Sequence, residues 1–182
     1  MDQRIRLTKK LLKESLIEML KTESIYRISI RELCQKAGIN RSTFYKHYEN
    51  QFDLLSEMEQ DLMDNIGVAL TDQVEHSRNA LVQILSYLES DIEFSRMLFN
   101  SNVDPNFPKK LFSMKKISDA LGILTADMDK NEAEYYTRFV LFGAYEIIHT
   151  WLNKDKRESL EWISSMLLKF ILESQKSLAK DM

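Results

Sequence analysis

The chain has 182 residues, 44% hydrophobic and 29% charged, with only 4 glycines and 2 prolines. This excludes a disordered chain, which could not bury enough apolar surface to offset the entropy of ordering, and argues against hairpin-rich sheet folds, which use turn residues repeatedly. The net charge of −3 hides a division: residues 1–50 carry 11 basic and 6 acidic residues, a net +5, and the rest carry 14 and 22, a net −8. A nucleic-acid contact confined to one end would produce such a split.

The spacing predicts a first helix over residues 5–22, with Leu12, Leu16, Met19 and Leu20 along one face. Ser29-Ile30-Arg31-Glu32 has the form of a capping box opening a second helix, and Gly38 supplies the left-handed residue that stops it. Asn40 can cap a short third helix reaching about Tyr48, and Asn50 can cap a fourth. From Phe52 to about residue 176 the pattern is of long amphipathic helices, broken near 71–72, 90–91, 101–108, 127–131 and 153–159. The expectation is an all-α chain of about nine helices.

Residues 29–48 meet the stereochemical demands of a helix-turn-helix. The turn needs a residue tolerating positive φ, which is Gly38, and a small residue one turn earlier, which is Cys34. Leu33, Ala37, Ile39 and Phe44 pin both helices to the body, leaving Arg41, Ser42, Thr43, Tyr45 and Lys46 to reach base edges.

Residues 8–55, above all "ISIRELCQKAGINRSTFYKHYENQFDLL", resemble the DNA-binding domain of the tetracycline-repressor-like (TetR) transcriptional regulators. "FVLFGAYEIIHTWLNKDKRESLEWISSMLLKFI", residues 139–171, is similar to the last two helices of many members, which pair two subunits. The resemblance implies an N-terminal three-helix helix-turn-helix domain at residues 1–50 and a helical effector-binding and dimerisation bundle at 51–182. It assigns base contacts to Arg31, Arg41, Ser42, Thr43 and Tyr45, and phosphate contacts to Ser29, Lys46, His47 and Tyr48. Arginine matches the bidentate acceptor edge of guanine, and Thr43 can meet a thymine methyl. Two departures stand out: Gln51 occupies a position where many members have lysine, and the loop "SIYRI" lacks a common glycine.

The helix expected at 131–153 is apolar over more than one stripe. Tyr135, Phe139 and Phe142 form one line, and Tyr136, Val140, Ala144, Ile147, Ile148 and Trp151 another. Leu160, Ile163, Met166, Leu167, Phe170 and Ile171 repeat the pattern on the last helix. A helix packing only on its own core needs a single stripe of about 100°. The excess predicts a homodimer paired through Ile147, Ile148, Trp151, Ile163, Met166, Leu167 and Phe170, with Gly143 allowing close approach. Two linked heads then call for a palindromic operator.

The resemblance also implies an effector among the middle helices, with Tyr87, Phe94, Met97, Leu98, Phe112, Met114, Tyr145 and His149 as candidates, a mixture that suggests a small apolar or aromatic ligand. The expected function is a dimeric, ligand-responsive regulator, most simply a repressor. The alternative is a regulator or coactivator whose body binds a partner protein. Cys34 suits packing in a reducing, cytoplasmic compartment. The longest apolar runs, such as 139–145, are too short to span a bilayer. His76 and His149 each follow a carboxylate, Asp72 and Glu146, but no further ligands gather, so neither metal nor cofactor is expected. No Gly-rich phosphate loop, catalytic triad order or nucleophile elbow supports an enzyme.

Overall fold

A computed structural model of the protein describes residues 3–71, 77–100 and 103–178, which form ten α-helices and no strand. They are α1 (Gln3–Leu20), α2 (Ile30–Ala37), α3 (Arg41–Phe44), α4 (Gln51–Thr71), α5 (Ser77–Ser90), α6 (Ile92–Phe99), α7 (Phe107–Phe112), α8 (Lys115–Leu124), α9 (Lys130–Asn153) and α10 (Leu160–Leu178). His76 and Asp72 lie outside the described residues.

The head, α1 to α3, is organised by caps. The Ser29 side chain accepts from the Glu32 amide while Glu32 reaches back to the Ser29 amide, closing the expected box at the start of α2. Gly38 has φ 66° and ψ 26°, and the amides of Gly38 and Ile39 bond the Gln35 and Cys34 carbonyls. Asn40 Oδ1 then accepts from the Ser42 amide at 2.9 Å and starts α3.

α3 is shorter than the pattern suggests. It ends at Phe44, and the chain tightens into three-residue turns, with Lys46 N bonding Thr43 O at 3.3 Å and His47 N bonding Phe44 O at 2.9 Å. The Tyr48 amide still reaches the Phe44 carbonyl at 3.0 Å, and two residues later the Asn50 side chain caps α4 by accepting from the Phe52 and Asp53 amides at 2.9 and 3.0 Å. α9 has a second capping box, Asp129 with Glu132.

α1 packs on α2, α4 and α6; α4 lies along α5 and α8; α5 meets α10, and α9 bridges α10 and α6. One apolar cluster runs from Leu12 and Leu16 of α1 through Leu54, Met58 and Leu62 of α4 to Trp151 and Leu167. Each fully buried leucine contributes about 1.5–3 kcal/mol of transfer free energy, so this shared core holds the head against the body.

An ionic junction reinforces that contact. Lys9 and Lys13 of α1 both reach Glu57 of α4, and Lys13 also reaches Asp61. The Tyr48 hydroxyl donates to Glu57 Oε1 at 3.1 Å, and the Lys9 ammonium lies 5.3 Å from the Tyr48 ring centroid. Burial alone would raise the Glu57 carboxyl, but the hydrogen bonds from Lys9 and Lys13 hold its pKa below the ordinary value.

Candidate nucleic-acid interface

Phe44 is the pivot of the reading element. Its ring is fully buried, touching Tyr45 edge-on at 5.6 Å and Tyr48 at the same distance. With Phe44 turned inward, helical geometry turns Ser42 and Tyr45 to solvent, and Arg41, at the first position of α3, is exposed as well, along with Lys46. Thr43 and His47 are half-buried at the margins. Arg31 is exposed on the first turn of α2. The exposed surface of α2 and α3 thus offers three cations, Arg31, Arg41 and Lys46, with the half-buried His47 imidazole at its margin.

Three details refine the expected contact set. Ser42 Oγ donates to Asn40 Oδ1 at 2.9 Å, so it meets a partner as an acceptor. The Ser29 hydroxyl is held by Glu32, whose carboxyl is lowered by that bond. Tyr48 is a core side chain, 3% exposed, with its hydroxyl on Glu57; burial raises its pKa and removes it from any phosphate.

Gln51 accounts for one departure from the motif. Its Nε2 donates to the Ile25 carbonyl at 3.3 Å, stitching the α1–α2 turn to the start of α4. Cys34 is buried, and burial raises its thiol despite the nearby Arg41 cation, which makes it an inert packing residue. The ionic junction was not legible beforehand, because Lys9 and Glu57 are 48 residues apart and share no local pattern.

The effector candidates do not form one group. Phe112, Tyr145 and His149 share the α6–α7–α9 side: Tyr145 stacks on Phe99 at 4.8 Å, meets Phe112 edge-on at 5.7 Å, and donates to the Phe99 carbonyl at 2.9 Å. His149 Nε2 sits 2.6 Å from Asn100 Oδ1 and its Nδ1 faces Glu146. Met114 packs towards Gly67 of α4. Phe94 and Leu98 are buried on α6, and Met97 is half-buried there. Tyr87 answers to a different neighbourhood: after burial, Asp61 and Asp91 raise its hydroxyl while Lys13 opposes them, charges that belong to the ionic junction or lie near it.

The α9–α10 face also sorts the expected interface residues. Trp151, Ile163 and Leu167 are already buried within the chain, and the Trp151 indole donates to the Glu158 carbonyl at 3.0 Å. They are core side chains, with little surface left for a mate. Ile147, Ile148 and Met166 are half-buried, and Phe170 is 50% exposed. The larger exposed rings are Tyr135, Phe139, Phe142 and Trp162. Two open apolar grooves run along this face, sharing Ile147. One, of about 270 Å³, is bordered by Phe139, Gly143 and Phe170; the other, of about 210 Å³, by Thr150, Trp162 and Met166.

Among the described residues, no three His, Cys, Asp or Glu side chains cluster as a metal site requires, and no helix is long and apolar enough to cross a membrane.

Residues 75–173, more than half of the chain, match a TetR-type family model described as the transcriptional regulator C-terminal region. The chain is 27% identical over 171 residues to an uncharacterized HTH-type transcriptional regulator, YxbF, of Bacillus subtilis (strain 168), across 90% of this chain and 44% of that protein. It is 29% identical over 103 residues to the HTH-type dhaKLM operon transcriptional activator DhaS of Lactococcus lactis subsp. lactis (strain IL1403), across 56% of this chain and 52% of that one. The chain therefore spans about half the length of the curated relatives it matches. A solved TetR transcriptional regulator from Streptococcus agalactiae 2603V has the same fold, with a TM-score of 0.69 over 93% of this chain and 96% of that one at 24% identity.

Proposed function

Because the chain belongs to the TetR family of transcriptional regulators, whose helix-turn-helix binds DNA, we propose that it works as a twofold dimer on an inverted-repeat operator. Residues 1–50 are the reading head and residues 51–182 the body. The observation that carries this reading is the outward set Arg41, Ser42, Tyr45 and Lys46, held in place by a fully buried Phe44. Arg41 and Arg31 reach guanine edges, Ser42 accepts from a base amino group, and Thr43 meets a thymine methyl. Lys46 and His47 hold phosphates, which set register and salt-dependent affinity.

The mate covers the exposed rings of α9 and α10. A twofold interface is self-complementary, so Phe139 and Phe170 of each copy meet the grooves of the other. Pairing fixes the separation of the two heads. A small apolar molecule received among Phe112, Tyr145 and His149 favours one separation over another and so shifts DNA affinity. Release of DNA on ligand binding makes the protein a repressor acting in the cytoplasm.

A second reading keeps the head and gives the body to a protein partner. Two observations favour it: Tyr145, Phe99 and Phe112 pack on one another, and the DhaS relative is a transcriptional activator.

The test is selection from a pool of randomised duplexes by the purified chain. The expected product is an inverted repeat whose half-sites are centred one or more helical turns apart. A pool that enriches nothing at moderate salt rejects the DNA reading.

A further inference from the structure

The motif leaves one exposed aromatic pair without a role. Tyr26, in the α1–α2 turn, is 78% exposed, and Phe52, in the first turn of α4, is 38% exposed. Their ring centroids lie 5.3 Å apart with planes tilted by 57°. Exposed rings of this size lose apolar surface to water unless something covers them.

The pair stands on a braced platform. Ile25 and Ile28, on either side of it in the turn, are both 2% exposed and anchor the loop in the core. The Arg27 amide closes the turn on the Ser24 carbonyl at 2.8 Å, and Gln51 bonds the Ile25 carbonyl. Along the chain the platform adjoins the starts of α2 and α4, on either side of the reading helix. Ser29 opens α2 three residues beyond Tyr26, Asn50 caps α4 two residues before Phe52, and the exposed Arg27 and Arg31 flank the turn.

A short helix lying in the major groove brings the elements beside it over the sugar–phosphate strands. The occupant that fits is therefore the DNA backbone: a deoxyribose offers apolar surface to the rings, and a phosphate accepts from the phenol. The position where the family motif often has lysine is Gln51, which faces inward to Ile25, so a neutral donor on the neighbouring turn serves this strand. We propose that Tyr26, buttressed by Phe52, donates its hydroxyl to a backbone phosphate of bound DNA and packs its ring on the adjoining sugar. This inference rests on the DNA reading above.

The experiment uses the full chain and the duplex enriched from the randomised pool, with a scrambled duplex beside it. Tyr26→Phe removes only the hydroxyl. Affinity is expected to fall about two- to tenfold on both duplexes, the loss of one neutral hydrogen bond. Because a neutral donor displaces no counterion, the slope of affinity against salt stays at the wild-type value. Phe52→Ala should weaken binding similarly, and the double variant should lose less than the two single losses combined, as coupled neighbours do. Thermal unfolding reports that each variant is folded. Wild-type affinity in Tyr26→Phe and Phe52→Ala, or an altered base preference or salt slope in Tyr26→Phe, overturns the inference and assigns the pair to some other partner. Failure of the wild-type chain to enrich any duplex overturns the DNA reading itself, and this inference with it.

Discussion

Arg41 and Lys46 share one exposed edge but have different chemistry. A guanidinium matches two acceptors of one guanine, whereas an ammonium is a point charge suited to phosphate. Lys46→Ala should therefore weaken binding on every duplex and reduce the slope of log affinity against log salt by about 0.9. An unchanged slope in a salt titration would remove Lys46 from the backbone. At the turn itself, a Cβ on Gly38 meets nothing within 4 Å, so the whole cost of Gly38→Ala is its φ of 66°. Denaturant unfolding should record a loss of about 1–2 kcal/mol, the ordinary penalty for a left-handed non-glycine residue.

At the scale of one helix, α4 carries two carboxylates two residues apart whose titrations run in opposite directions. Glu57 is lowered: burial pushes it up, but the bonds from Lys9 and Lys13 prevail. Its stabilisation is complete above the unfolded-state pKa and is lost as pH falls through the lower folded value. Glu59 is 2% exposed and raised, by burial first and then by the nearness of Asp104, even though Lys110 donates to it at 2.6 Å. It favours the folded state below its unfolded pKa, and that benefit disappears as pH rises through the higher folded value. Urea unfolding at neutral pH should therefore find Glu57→Gln less stable by about 1–2 kcal/mol. Glu59→Gln, which mimics the protonated form, should be no less stable than wild type. Both differences should shrink towards pH 4. Equal losses for both variants at neutral pH would contradict the assignment.

The same helices show what a sequence can disclose. Local signals were readable because cap and partner lie within three residues: Ser29 with Glu32, Asn40 with Ser42, and Asn50 with Asp53. Gly38 likewise announced its backbone. The junction of Lys9, Lys13, Tyr48 and Glu57 joins segments far apart in the chain and leaves no periodic trace. On α9 the pattern revealed two apolar stripes without saying which one the chain keeps for itself. Packing decides that Trp151 turns inward while Phe139 and Phe142 remain outside. Among the effector candidates, residue type alone could not separate Tyr87, near the charges of the junction, from Tyr145, in the ring cluster.

At the scale of the whole molecule, a shared apolar core and an ionic junction tie the head to α4, so a change in the body reaches the reading edge through a stiff contact. In the proposed dimer, the twofold mate supplies the second head. Gly143 borders the larger groove, and a Cβ added there meets nothing within 4 Å. Gly143→Leu should thus leave the unfolding midpoint of the protomer nearly unchanged while raising the dimer dissociation constant at least tenfold by sedimentation. A dimer as tight as wild type would put the interface elsewhere.

The most direct test of base reading by α3 repeats the duplex selection with Arg41→Ala. The spacing and symmetry of the inverted repeat should persist, because the dimer sets them, while one or two positions in each half-site lose their preference, each worth about 1–3 kcal/mol. Recovery of the wild-type motif at every position, with only a uniform loss of affinity, would contradict the account and reduce Arg41 to a phosphate contact.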